Sequence, residues 1–212
     1  VTIAMLVVGA IQYLLPYPLP VVKTFLALVF VMIFNYIAYV GMRVSAVMLM
    51  TFAVISVGIA LSLIIPGIIQ FDPSHFNPFF VYPVSSIFVA LFFIAETFFG
   101  WETTTFLAEE TKNPREVMPK AIIWGTVAIA AIAIILTVSA IGSVGWETFG
   151  NFKAPLGDLG KVFFGGVGEY IFTLGIYIAI IGAVAGWVVS APRLILALAR
   201  DKLFLPQFAK IH

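Results

Sequence analysis

The chain contains no cysteine, only two histidines, and few charges: 11 basic and 10 acidic residues among 212. Without cysteine there is no disulfide framework, no thiolate metal site and no thiol nucleophile. His75 and His212 both read as surface loop residues, with no metal-ligand set around them. A formal net charge of +1 matches neither a nucleic-acid binder nor a basic membrane-surface helix. The scarcity of charge also excludes a water-soluble fold. Charged residues make up 10% of the chain and hydrophobic residues 62%, with a mean hydropathy of +1.14. Soluble domains are about 25% charged, and a chain this short cannot hide so much apolar surface from water.

What the sequence has instead is long uncharged runs, at 1–22, 24–42, 44–71, 73–95, 121–146 and 170–192. Each is long enough to hold a bilayer-spanning helix, which needs about 20 apolar residues. Helices are the economical solution, because hydrocarbon offers no partner for a free backbone group. Membrane-barrel strands would alternate apolar and polar residues, and a stretch such as Ala121 to Val138 does not. The reading is an all-α integral membrane protein with six spans, at about 1–15, 21–41, 44–66, 84–110, 121–143 and 168–194. Val1 begins in mid-apolar sequence, with no initiator Met, charged n-region or cleavage site, so it reads as an edge.

The connections differ in kind. Those at 42–43, 111–120 and 195–212 are short or basic, whereas those at 16–20, 67–83 and 144–167 are rich in proline, glycine and aromatics. Alternating spans put Arg43, Lys112, Arg115, Lys120, Arg193, Arg200, Lys202 and Lys210 on one side, and only Lys23, Lys153 and Lys161 on the other. The positive-inside rule makes the first side cytoplasmic, including loop 111–120 and the C-terminal end, and makes 144–167 extracellular.

The fourth span, VSSIFVALFFIAETFFGWETTTFLAEE, buries Glu96 and Glu102 in an apolar run. A charge at the bilayer centre costs about 2.5–3.5 kcal/mol on insertion scales, so each carboxyl must be paired, protonated or beside a wet cavity. Gly100 between them permits non-helical dihedrals, and Thr97, Thr103, Thr104 and Thr105 weaken helix propensity. The expectation is a discontinuous helix, broken between about Thr97 and Trp101. Broken membrane helices expose carbonyls that suit an ammonium and amides that suit an anion. A continuous helix with one packed glycine is the plainer alternative.

Phe98-Phe99-Gly100-Trp101-Glu102, Ala108-Glu109-Glu110-Thr111-Lys112-Asn113-Pro114-Arg115 and Met118-Pro119-Lys120-Ala121 together closely resemble the signature of amino acid permeases of the amino acid–polyamine–organocation (APC) superfamily, at its sixth helix and following cytoplasmic loop. Asn35 to Ala46, with Gly41 and Arg43, resembles the turn between that family's fourth and fifth helices. Arg193 to His212, with Ala199-Arg200-Asp201 and Leu205-Pro206, resembles the segment after its eighth. The resemblance implies a LeuT-like inverted-repeat transporter fold. It places this chain at about the third to eighth helices, so the chain is expected to be part of a longer permease that does not transport alone.

By the same resemblance Glu96, Thr97, Phe98, Phe99, Gly100 and Trp101 line the substrate pocket. Carbonyls around Thr97–Phe99 receive an amino group, and Phe98 and Trp101 form apolar walls. Glu96 replaces the bulky aromatic gate of many relatives. It either pairs with a cationic substrate or carries a proton, or it is a protonated carboxyl bonded to a neighbouring helix. Glu102 matches a position linked to gating or proton sensing, the alternative being a carboxylate that stabilises a half-helix start. The coupling lysine of some relatives is missing from Met50 to Gly58. Ser56 and Ser190 are weak ion-site residues, for which helix packing is the plainer reading, as it is for Gly182 and Gly186. The implied function is secondary active transport of an amino acid or related amine by alternating access in the plasma membrane. No cofactor or metal is implied, only a coupling proton or sodium ion. The partners are the substrate and the lipid bilayer, not nucleic acid, and the oligomeric state is left open. A non-transporting half-permease scaffold is the alternative. An intramembrane hydrolase is weaker, since Glu96 and Glu102 lie about 600° apart on an unbroken helix and no nucleophile–base pair accompanies them.

Overall fold

A computed structural model describes residues 6–11, 20–95 and 100–209. All regular structure among them is helical. The α-helices are α1 (Pro20–Val40), α2 (Met42–Ile69), α3 (Ser85–Ala95), α4 (Pro114–Val144), α5 (Trp146–Gly150) and α6 (Pro155–Arg200). Also among the described residues are three 3₁₀ helices, Pro73–Phe76, Trp101–Glu110 and Pro206–Ala209, and a helical stretch at 6–11. Four helices are long and apolar enough to cross a bilayer, Pro20–Val40, Arg43–Ile69, Pro114–Val144 and Pro155–Arg200, while Ser85–Ala95 is a shorter apolar helix. The predicted spans 1–15 and 84–110 both include residues outside the described set.

Length and exposure fit a lipid solvent. The 21 residues of α1 rise about 32 Å at 1.5 Å each, the thickness of a hydrocarbon core. Phe34 is its buried residue, whereas Met32 is 72% exposed. A helix apolar all round and bare of packing gains nothing from water and suits a membrane.

The chain forms two compact units, one of Val1–Thr51, Phe99–Trp124 and Ile180–His212, the other of Phe52–Phe98 and Gly125–Ala179. In the first, Gly41 alone separates α1 from α2. Fully buried Ser45 staples this corner, its Oγ and its N–H donating to Gly41 O at 3.1 and 3.2 Å. In the second, Leu63, Ala140, Leu159 and Phe172 form a buried cluster. The loop after α2 is clipped to Gly142 O of α4 by Asp72 N–H at 2.8 Å and by His75 Nδ1 at 2.8 Å. The ring of Phe71 fills the space where a Gly142 side chain would lie.

Three expected loops are largely helical. In 111–120, α4 already starts at Pro114, Pro119 lies inside it, and Lys120 pairs with Glu116 at 2.7 Å. A proline in the first turn costs nothing, because that N–H has no helical acceptor anyway. In 195–212, α6 continues to Arg200. In 144–167, α5 is followed by the start of α6, whose one interruption is Gly165 at φ 71°, ψ −160°. Contacts pair residues about Gly165: Gly160 with Gly168, Phe164 stacked on Phe172 at 5.7 Å, and Lys161 with Glu169 at 2.9 Å. Residues 155–164 therefore fold back on the next turns of α6 as a tight helical hairpin. The glycines that look loop-forming in sequence are the close-packing positions of that hairpin.

Candidate functional site

Four of the predicted pocket residues, Glu96, Thr97, Phe98 and Phe99, lie outside the described residues. The geometry beyond them is concrete. Gly100 has φ 110° and ψ −11°, a region closed to most L-residues, so no continuous α-helix passes through it. It caps a 3₁₀ helix, Trp101–Glu110, rather than the α-helical second half the sequence led us to expect. Two threonines bond back within this segment. Thr103 Oγ1 donates to Gly100 O at 2.6 Å and Thr105 Oγ1 to Glu102 O at 2.5 Å, both three residues back, and Thr103 N–H also bonds Gly100 O at 3.0 Å. These hydroxyls reinforce i−3 acceptors instead of the i−4 acceptors of an α-helix.

Glu102 has a defined role here. Its exposed side chain accepts from Gly100 N–H at 2.9 Å through Oε2. An amide that a broken helix could offer to a substrate anion is thus occupied by the protein's own carboxylate, in line with the helix-start reading of Glu102. Trp101 is half-buried. Beneath Gly100 lies Trp187 of α6. A Cβ at Gly100 would stand 3.2 Å from Trp187 Cζ2, so the backbone rests on the indole. Trp187 also borders a cavity of about 340 Å³ with Asn35, Ala191, Pro192, Ile195 and Phe208. Pro192 has no N–H to give Val188 O, which frees one carbonyl in that wall.

The two serines proposed for ions both bond within their own helix. Ser56 Oγ donates to Phe52 O at 2.8 Å, and Ser190 Oγ, nearly fully buried, donates to Gly186 O at 2.7 Å. Each hydroxyl keeps lone pairs but spends its proton locally, the usual arrangement for serine inside an apolar helix. Gly186 has Leu49 Cδ2 4.0 Å from its missing Cβ, an ordinary packing distance. Among the described residues no cluster of three or more histidines and carboxylates could hold a metal.

Three features escaped sequence reasoning. One is the Trp187 platform. The others are two ion pairs between the 3₁₀ helix and α6: Glu110 Oε1 with Arg193 Nε at 2.9 Å, and Glu109 Oε2 with Arg200. Arg193 also donates to Val189 O and is only 14% exposed. The available signal is that Glu109 and Glu110 adjoin loop 111–120, which the sequence puts on the same side as Arg193 and Arg200.

Comparison with known proteins adds lineage. The sequence profile of the family described as amino acid permease matches residues 1–212. The chain is 26% identical over 192 residues to the branched-chain amino acid permease of Bacillus subtilis (strain 168), covering 88% of this chain and 40% of that protein. It is 29% identical over 150 residues to the vacuolar cationic amino acid transporter 4 of Arabidopsis thaliana, covering 68% and 24%. It is 28% identical over 120 residues to the serine/threonine exchanger of Bacillus subtilis, covering 53% and 26%. The chain therefore spans between about a quarter and two fifths of the length of these relatives.

Proposed function

The chain belongs to the amino acid permease family, and on that premise we propose that it serves in secondary active transport of an amino acid or related amine by alternating access. The observation that carries the reading is the backbone break at Gly100, inside the family's match. Gly100 and Trp101 belong to the substrate site in this reading, together with Glu96, Thr97, Phe98 and Phe99, which lie outside the described residues. The substrates for which the relatives are named differ in side chain, being branched-chain amino acids, cationic amino acids, and serine and threonine. What these share is the ammonium and carboxylate of the amino acid itself, which is what free peptide groups at a broken helix recognise. The pocket belongs to a LeuT-like inverted-repeat fold with six spans from this chain, set in the plasma membrane. Transport is coupled to a proton or sodium ion, and loop 111–120 and the C-terminal end face the cytoplasm.

Uptake of a panel of labelled amino acids into proteoliposomes carrying the full-length protein tests this. Concentrative uptake of at least one amino acid, driven by a proton or sodium gradient, is the expected result. No uptake of any amino acid under either gradient rejects it. Within that assay, Glu96→Gln is expected to change the pH profile of uptake or the preference between cationic and neutral substrates. An identical profile for both classes would make Glu96 structural.

A further inference from the structure

The 3₁₀ helix Trp101–Glu110 is ten residues long, whereas 3₁₀ runs beyond three or four residues are uncommon and often mark a hinge or a stretch under strain. It is fastened at both ends to the same helix. At its start, Gly100 rests on Trp187. At its end, Glu110 pairs with Arg193 and Glu109 with Arg200. The contacts at Gly100 and Glu110 fall in the same order along both elements, so the segment runs in the direction of α6. Helix type sets both the length and the winding of what lies between. Ten residues rise roughly 20 Å as 3₁₀ but roughly 15 Å as α-helix. The winding differs as well, since at 3.0 rather than 3.6 residues per turn the two ends differ in relative rotation by about 200°.

We infer that Glu109, Glu110, Arg193 and Arg200 are positioning residues: their two ion pairs hold Trp101–Glu110 in its long 3₁₀ form and so fix where Trp101 points. Releasing them lets the segment tighten toward α-helix, drawing its ends about 5 Å closer and turning Trp101 by about half a turn relative to the carboxylates. The pairs suit a reversible clasp. Glu109–Arg200 is about half-exposed, while Glu110–Arg193 is better shielded, with Arg193 oriented by Val189 O. The consequence for substrate rests on the pocket reading of Trp101; the clasp itself does not.

Nitroxide pairs in the otherwise cysteine-free chain read the helix type directly. In a 3₁₀ helix residues i and i+3 are eclipsed, so labels at 104 and 107 broaden the EPR spectrum more than labels at 104 and 108. In an α-helix the i, i+4 pair is at least as close. The native protein is expected to show stronger broadening for 104/107. The variant Arg193→Gln with Arg200→Gln is expected to reverse the order, and Glu109→Gln with Glu110→Gln to do the same from the other side of each pair. Exchanging the charges, Glu109→Arg and Glu110→Arg with Arg193→Glu and Arg200→Glu, should restore the native order. An unchanged order in whichever neutralised variant folds overturns the inference. So does an exchanged variant that inserts but keeps the α-like order. None of these measurements uses uptake, so their failure leaves the transport reading standing, and a lack of uptake leaves them standing.

Discussion

At Gly100 a single added methyl meets two separate obstacles. A positive φ costs an L-residue about 1–2 kcal/mol, and the new Cβ would sit 3.2 Å from Trp187 Cζ2. Gly100→Ala is therefore expected to lower the thermal midpoint of the detergent-solubilised protein. Trp187→Leu in the same molecule should recover only the steric part. Full recovery would mean the dihedral carries no strain. Gly100→Leu should still insert but lose uptake, and normal uptake would remove the break from the mechanism. Outside the membrane, Asp72 offers a pH test. Hydrogen bonds from the Ser74 hydroxyl and Ser74 N–H hold its carboxyl below the ordinary 3.8. A depressed carboxyl stabilises the turn at pH above its unfolded value, and that contribution disappears as pH falls through the lower folded value. The protection factor of the Ser74 amide should accordingly drop only below about pH 4, and Asp72→Asn should flatten the change. A protection factor that already falls between pH 7 and 5 would contradict the cap. Glu102 marks how far residue reading goes. An acidic residue beside Gly100 is legible as helix-start chemistry, but not that its donor is the Gly100 N–H, because a side chain's choice between ligand and backbone depends on a rotamer no spacing specifies.

The hairpin about Gly165 makes the corresponding point for elements. Long apolar runs announce α1, α2 and α4 because hydrocarbon demands satisfied backbones along their whole length. Charge and glycine hid the helical parts of 111–120 and 144–167. There a sequence rich in proline, glycine and charge looks like a connection, but Pro114 and Pro155 each occupy the first position of a helix, where proline is favoured. Gly160 and Gly168 serve contact, since a side chain on Gly168 would meet Gly160 O and one on Gly160 would meet the ring of Phe172. Backbone cannot give way as a flexible side chain can. Gly168→Ala is therefore expected to destabilise by about 1–3 kcal/mol, the range for forced overpacking, and to speed hydrogen exchange across 155–164. Gly166→Ala, which meets nothing within 4 Å, is the control and should change neither. Equal effects from the two substitutions would mean the glycines act through chain flexibility and not through packing.

Across the whole chain, the distribution of 11 basic residues is a statement about electrical sidedness, and single cysteines placed in the full-length protein, with any others replaced, make it measurable. The all-helical, multi-pass character was legible because hydropathy depends on solvent and not on tertiary detail. In the sequence, Glu109 and Glu110 are legible only as charges at the end of a span, and Arg193 and Arg200 only as basic residues on the side assigned to the cytoplasm. That they meet as two pairs requires α6 to bring Arg193 and Arg200 against the 3₁₀ helix, a contact across more than 80 residues of chain. The positive-inside rule predicts that Arg115→Cys and Lys202→Cys react with a membrane-impermeant maleimide only after permeabilisation, and that Lys153→Cys reacts in intact cells. Residue 115 lies in the first turn of α4 and 153 beyond its end, and 153 and 202 flank α6, so the three positions test both helices as true crossings. If 115 and 153 label from the same face, α4 does not span. If 153 and 202 do, α6 does not. Labelling of 115 and 202 but not of 153 in intact cells would overturn the orientation and put the charged clasp on the outer face.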